Sequence, residues 1–129
     1  MRYPKRRDHR SGDRGARAEQ LAACFLAQRG LEVVERNVVY RGGELDLICL
    51  QGQLLVIVEV RHRRKTAFGS AAATVTAQKQ RRIARAAELY IAERRAFSNR
   101  AVRFDVVEVT GALEGSPQLT WITDAFTLD

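Results

Sequence analysis

The sequence predicts a single α/β domain, a central mixed β-sheet flanked by helices. Three observations lead there. The chain has 129 residues, the size of one ordinary domain and enough to bury a hydrophobic core without disulfides. Its composition, 46% hydrophobic and 29% charged, is that of a globular chain rather than a disordered one. Its apolar periodicity changes along the chain in the order αβββαββ, which calls for one sheet with helices packed on it.

Residues 1–13 (MRYPKRRDHRSGD) mix Pro, Gly, Ser and charge and read as a flexible basic tail, leaving 14–129 as the domain. A helix fits residues 14–29, with Ala18, Leu21, Ala22, Phe25 and Leu26 along one face. Asp13 is placed as its N-cap and Gly30 just past its end. Glu19 falls one position off the apolar stripe. Strand-like runs follow at 31–39, 44–50 and 53–61. The second is entered through Gly42-Gly43, and Gln51-Gly52 reads as a two-residue hairpin turn between the second and third. A long helix fits 75–95, with Ile83, Ala87, Tyr90 and Ile91 inward and Arg81, Arg85 and Glu88 outward. Strands at 102–109 and 118–123 complete the set, joined by a loop from Gly111 to Pro117. Trp121 and Phe104 fit core positions on these strands. Cys24 and Cys49 lie in apolar segments without a CxxC or Cys/His cluster. Both are expected to be buried thiols, and zinc has too few ligands.

The net charge is +7 and the pI about 10.2, which makes phosphate the first partner to consider. The tail contributes six Lys/Arg against two Asp through Arg14. Further basic clusters are Arg61, Arg63, Arg64 and Lys65, then Lys79, Arg81, Arg82 and Arg85. They lack the Trp/Phe/Leu face of an interfacial helix, so nucleic acid suits them better than a membrane. Of these, Arg61, Arg63, Arg64, Lys65, Lys79 and Arg82 are the candidate nucleic-acid contacts. No apolar run approaches the ~20 residues that span a bilayer. Met1 to Arg14 has no apolar signal core, so a cytoplasmic location is expected. Patterns for nucleotide cofactors, zinc proteases and serine hydrolases are absent.

The central hairpin carries the chemistry. With Leu50 opposite Gln53, Asp46 pairs with Ile57 and Glu44 with Glu59, and paired residues share a face. One face then holds Leu45, Leu47, Cys49, Leu54, Val56, Val58 and Val60, all apolar. The other gathers Glu44, Asp46, Glu59 and Arg61 at one end. Carboxylates so close destabilise the sheet and raise each other's pKa values. A divalent cation, Mg²⁺ or Mn²⁺, held by Asp46, Glu59 and Glu44 would offset that cost. A structural ion network with Arg61 is the alternative. Acids that fix a metal beside a cation facing phosphate are what phosphodiester hydrolysis requires. Asp105 is a further acid that could approach this group. His62 points away from Glu59 and Arg61.

The run Gly43-Glu44-Leu45-Asp46-Leu47-Ile48, then Val58-Glu59-Val60-Arg61-His62-Arg63-Arg64, strongly resembles the bacterial YraN-like family. Gly15 to Glu19, Phe68-Gly69, Lys79 with Arg82, Arg103-Phe104-Asp105-Val106 and Ala125-Phe126 agree with it, so the similarity covers about residues 14–127. That family is similar to the restriction-endonuclease-like superfamily of PD-(D/E)xK nucleases, close to Holliday-junction resolvases. The resemblance implies that fold, a metal-binding pair at Asp46 and Glu59, and a first-helix acid at Glu19. It also implies a nuclease-like domain acting on DNA rather than RNA, on branched or structured forms, and suggests a homodimer. The chain departs from the pattern at Arg61, where the motif has Lys. Arginine stays protonated, so it can stabilise a phosphate oxyanion but cannot take a proton from water. Lys65 and Lys79 are the lysines that could stand in. Two other readings stay open: a non-catalytic nucleic-acid-binding module that keeps the fold, and an interaction domain whose basic tail engages an acidic partner.

Overall fold

The computed structural model describes residues 11–64 and 75–127. Most of the tail (1–10), together with Lys65 and Phe68-Gly69, lies outside these residues. The elements are α1 (Ser11–Gln28), β1 (Glu32–Tyr40), β2 (Gly43–Gln51), β3 (Leu54–Arg63), α2 (Ala77–Glu93), a 3₁₀ turn (Arg95–Phe97), β4 (Val102–Thr110) and β5 (Gln118–Phe126). Their order matches the expected αβββαββ. The five strands form one sheet in sequential order. Only β3 and β4 run parallel, with α2 in the connection between them, so the sheet is mixed.

The first helix begins at Ser11, so Asp13 lies inside it rather than capping it. Its end is as expected. Gly30 adopts φ +94°, which lets its N–H bond Ala27 O at 3.2 Å while Leu31 N–H bonds Leu26 O at 3.1 Å. Those paired bonds satisfy carbonyls that a helix end leaves open. Leu26 and Leu31 are both buried in the same cluster, which fixes how the chain turns into β1.

The two helices cover opposite faces of the sheet. Ala18, Ala22, Ala23 and Leu26 of α1 pack on Leu47, Cys49, Val56, Val58, Val107 and Val109. Ile83, Ala86, Ala87 and Tyr90 of α2 pack on Ile48, Leu55, Ile57 and Val106. Tyr90 donates from its buried hydroxyl to Glu35 at 3.0 Å, and Arg94 pairs with the same carboxylate. With Tyr40 donating to Glu93 at 2.9 Å, these bonds tie the end of α2 to β1. No helix among the described residues is long and apolar enough to cross a membrane.

Three further expectations change. The hairpin pairs Gln51 with Leu54, so Gly52-Gln53 forms the turn, with Gly52 at φ +60°. Pairing is thereby shifted by two residues. An even shift by itself does not turn side chains to the other face, but Ile57 now meets Ile48 rather than Asp46. Leu45 leaves the face expected for it and joins the α2 side, while Leu47 stays on the α1 side. Cys24 is exposed, and only Cys49 is buried. Burial, helped by nearby Asp105, pushes the Cys49 thiol up to about 12, so it behaves as a small hydrophobe.

Candidate active site

The break in alternation between Leu45 and Leu47 falls at Asp46. The β2–β3 ladder runs from Gln51↔Leu54 to Leu47↔Val58. Carried one residue further, it puts Asp46 opposite Glu59, where Glu44 had been expected. Here the Asp46 carboxylate itself accepts the backbone N–H of Val60, at 2.9 Å. Asp46 therefore sits where the two strands part. It meets Glu19 of α1 on one side and lines an α2-side cavity on the other.

Glu19, Glu44 and Asp46 each present a carboxylate oxygen within 4.8 Å of the other two. Burial raises the pKa of Asp46 well above the usual carboxylate range, and the charges of Glu59, Glu19 and Glu44 push it the same way, against the Val60 hydrogen bond. A set of carboxylate oxygens this close together fits a hard divalent cation such as Mg²⁺ or Mn²⁺. The structure thus brings together all four acids singled out from the sequence.

Glu59 is buried, and its partner comes from α2. Lys79 Nζ lies 2.7 Å from Glu59 Oε1. Thr76 caps this helix, its hydroxyl accepting the Lys79 N–H at 3.1 Å, so Lys79 is held in the first helical turn. A cavity of about 520 Å³ opens over these groups, bordered by Glu44, Asp46, Glu59, Lys79 and Arg82 among others. Gly43 makes the arrangement possible. A Cβ there would fall 2.5 Å from the main-chain oxygen of Arg82 and 3.2 Å from Ala86 Cβ. Only glycine lets the helix backbone come down onto the start of β2.

The other candidates lie elsewhere. Arg61 is half-buried and does not border this cavity. Arg63 pairs with Glu108 at 3.3 Å, Arg64 is exposed at the end of β3, and Arg82 is exposed at the cavity rim. His62 donates from Nε2 to Gly111 O at 2.9 Å. Asp105 does not join the acids. It is fully buried, paired with Arg103, and it accepts from Trp121 Nε1 at 2.9 Å. The sequence offered Lys79 as a stand-in for the motif lysine but not its contact with Glu59. Its signal was a lysine in the first turn of a helix, where a cation meets the positive end of the macrodipole and wants an anion.

The sequence matches the family described as uncharacterised protein family UPF0102 over residues 18–109. A UPF0102 protein of Xanthomonas campestris is 48% identical over 116 residues, covering 90% of this chain and 93% of the relative. One from Serratia proteamaculans is 48% identical, covering 89% and 95%. One from Hahella chejuensis is 43% identical over 124 residues, covering 96% and 98%.

Proposed function

The chain belongs to the UPF0102 family, the YraN-like group its motifs resembled, and from its acid cluster we propose a metal-dependent phosphodiesterase acting on nucleic acid in the cytoplasm. One observation carries this reading: Glu19, Glu44 and Asp46 bring carboxylate oxygens within 4.8 Å of one another, and two of them, Glu44 and Asp46, border an open cavity together with Glu59, a lysine and an arginine. The reading aligns the domain with restriction-endonuclease-like nucleases and makes DNA, in branched or structured form, the substrate.

Asp46 is the central ligand, with Glu19 and Glu44 completing the set and Glu59 on its α2 side. A bound Mg²⁺ or Mn²⁺ would polarise the phosphoryl oxygen and lower the pKa of a coordinated water. These carboxylates would hold the cation where α1, β2 and β3 meet. In the reaction the water oxygen bonds to phosphorus and one P–O bond to a sugar breaks. The leaving oxygen takes up a proton, so one water is consumed and a phosphomonoester and a free hydroxyl remain. Exposed Arg64 and Arg82 hold the flanking backbone, a contact that weakens steeply with salt.

The test is a cleavage assay on junction, flap and single-stranded DNA with Mn²⁺, alongside Mn²⁺ titration of the protein alone. Metal-dependent cleavage by the wild type, lost in Asp46→Ala together with tight Mn²⁺ binding, is the expected result. Salt-sensitive DNA binding without cleavage under any metal would favour the non-catalytic binding module, which Arg61 at the motif's lysine position supports.

A further inference from the structure

Resting on the nuclease reading, the geometry points to Lys79 of α2 as the cation that meets the scissile phosphate, the role the strand motif would assign to residue 61.

Position argues for it first. Lys79 borders the cavity that holds Glu44, Asp46 and Glu59, and Arg61 does not. A phosphate bridging the acid cluster and the open side of that cavity comes within reach of the Lys79 ammonium. Accessibility argues second. The Lys79 side chain is 42% exposed while its partner Glu59 is 6% exposed. One face of the ammonium is anchored and the other is open to a ligand. An ammonium has three donors, so the Glu59 bond leaves two for phosphoryl oxygens.

The anchoring is itself built. Thr76 fixes the Lys79 backbone, and Gly43 admits the helix close to β2. The first turn of α2 contains no acidic residue, so a cation there works against the macrodipole. Glu59 supplies the compensating charge from a neighbouring strand. Glu59 is therefore a positioning residue for Lys79 as well as part of the acid group. Arg61 keeps the strand position of the motif but not its place at the cavity. That explains how arginine is tolerated there: the cation at the phosphate arrives from another element.

The experiment compares Lys79→Gln, Lys79→Arg and Arg61→Gln in the full chain, with three readouts: Mn²⁺-dependent cleavage, binding of Mn²⁺ alone, and the salt dependence of DNA binding without metal. Lys79→Gln is expected to lower the cleavage rate by about a hundredfold or more. Its Mn²⁺ affinity should be retained or tighter, because a positive charge beside the acids is gone. Lys79→Arg should recover at least about tenfold over Lys79→Gln, since it restores a cation. Arg61→Gln should cost at least about tenfold less than Lys79→Gln. The slope of log affinity against log salt should fall by about 1 in Lys79→Gln and by less in Arg61→Gln. Cleavage by Lys79→Gln close to wild type, or an equal loss in Arg61→Gln, overturns the assignment while leaving the nuclease reading intact. If the wild type binds but does not cleave, an unchanged salt slope in Lys79→Gln overturns it. A wild type that neither binds nor cleaves DNA sinks the nuclease reading and this inference with it.

Discussion

Asp46 and Asp105 are both aspartates on interior strands, and their surroundings are opposite in sign. Asp105 is fully buried and met only by donors. Arg103 reaches both its oxygens at 2.8 Å, Trp121 Nε1 donates at 2.9 Å, and the Asp124 N–H donates at 2.9 Å. Asp124 adopts φ +52° to do so, beside the irregularity between Phe104 and Val106 where β4 pairs with β5. Asp46 is half-buried and crowded by three other carboxylates. Its hydrogen bond among the described residues comes from Val60 N–H alone. A buried acid is thus not by itself a sign of chemistry. Asp105 is paid in hydrogen bonds and holds two strands in register, whereas Asp46 faces other acids, so its charged form is disfavoured.

Replacing each by asparagine separates the two most sharply. Asp46→Asn is expected to cut Mn²⁺-dependent cleavage by about a hundredfold or more while leaving the apo fold at least as stable as wild type. Asp105→Asn is expected to lose about 3 kcal/mol of stability, because it takes the carboxylate from the half-buried Arg103 guanidinium and puts an amide among donors at a fully buried position. Paired urea titrations and cleavage assays check both. A destabilised Asp46→Asn would erase the distinction.

A smaller effect comes from metal. Mn²⁺ at about 100 times its dissociation constant should stabilise the wild type by about 2.7 kcal/mol, seen as a rise in melting temperature. Asp46→Asn should show little of this rise, and Asp105→Asn should show it in full from its lower starting point.

pH provides a gentler probe. Burial and like charges raise the pKa of Asp46, so above about pH 4 the folded chain holds a proton that the unfolded chain has released. Stability contributed by this group is present at low pH and declines as pH rises toward the raised value. Urea midpoints between pH 4 and 8 should show that decline in the metal-free wild type, and it should be shallower in Asp46→Asn and in the Mn²⁺-bound protein. The mildest intervention is thiol labelling. Cys24 is exposed and Cys49 buried, so one thiol should react in the native state and the second only on unfolding, measured by mass spectrometry.

Much of this architecture could be read before any coordinates. The stripe Ala18, Ala22, Leu26 and the stripe Ile83, Ala87, Tyr90 announced which helix faces are buried, because helical spacing is a local property. The acids of the central hairpin were also legible. Moving the turn to Gly52-Gln53 changed their pairings, and the break at Asp46 turned the group toward Glu19 of α1 as well as toward α2. Leu45 was not legible: alternation assumes a continuous ladder, and the ladder gives way at Asp46, where a side chain takes the place of a main-chain acceptor. Nor was the Lys79–Glu59 contact, since the height at which α2 crosses the sheet depends on packing between distant segments. The exposure of Cys24 has the same origin, because Ala23 rather than Cys24 fills the α1 contact.

At Gly43 a strand and a helix meet as bare main chain, with the Arg82 carbonyl where a side chain would otherwise stand. Nothing soft lies between them to absorb movement. A polyanion held by the basic residues of α2 would therefore pull on the hairpin as well, and the next residue along that hairpin is Glu44. On the nuclease reading the contact would act as a short rigid lever, coupling the grip on the nucleic-acid backbone to the shape of the carboxylate group that would seat the cation.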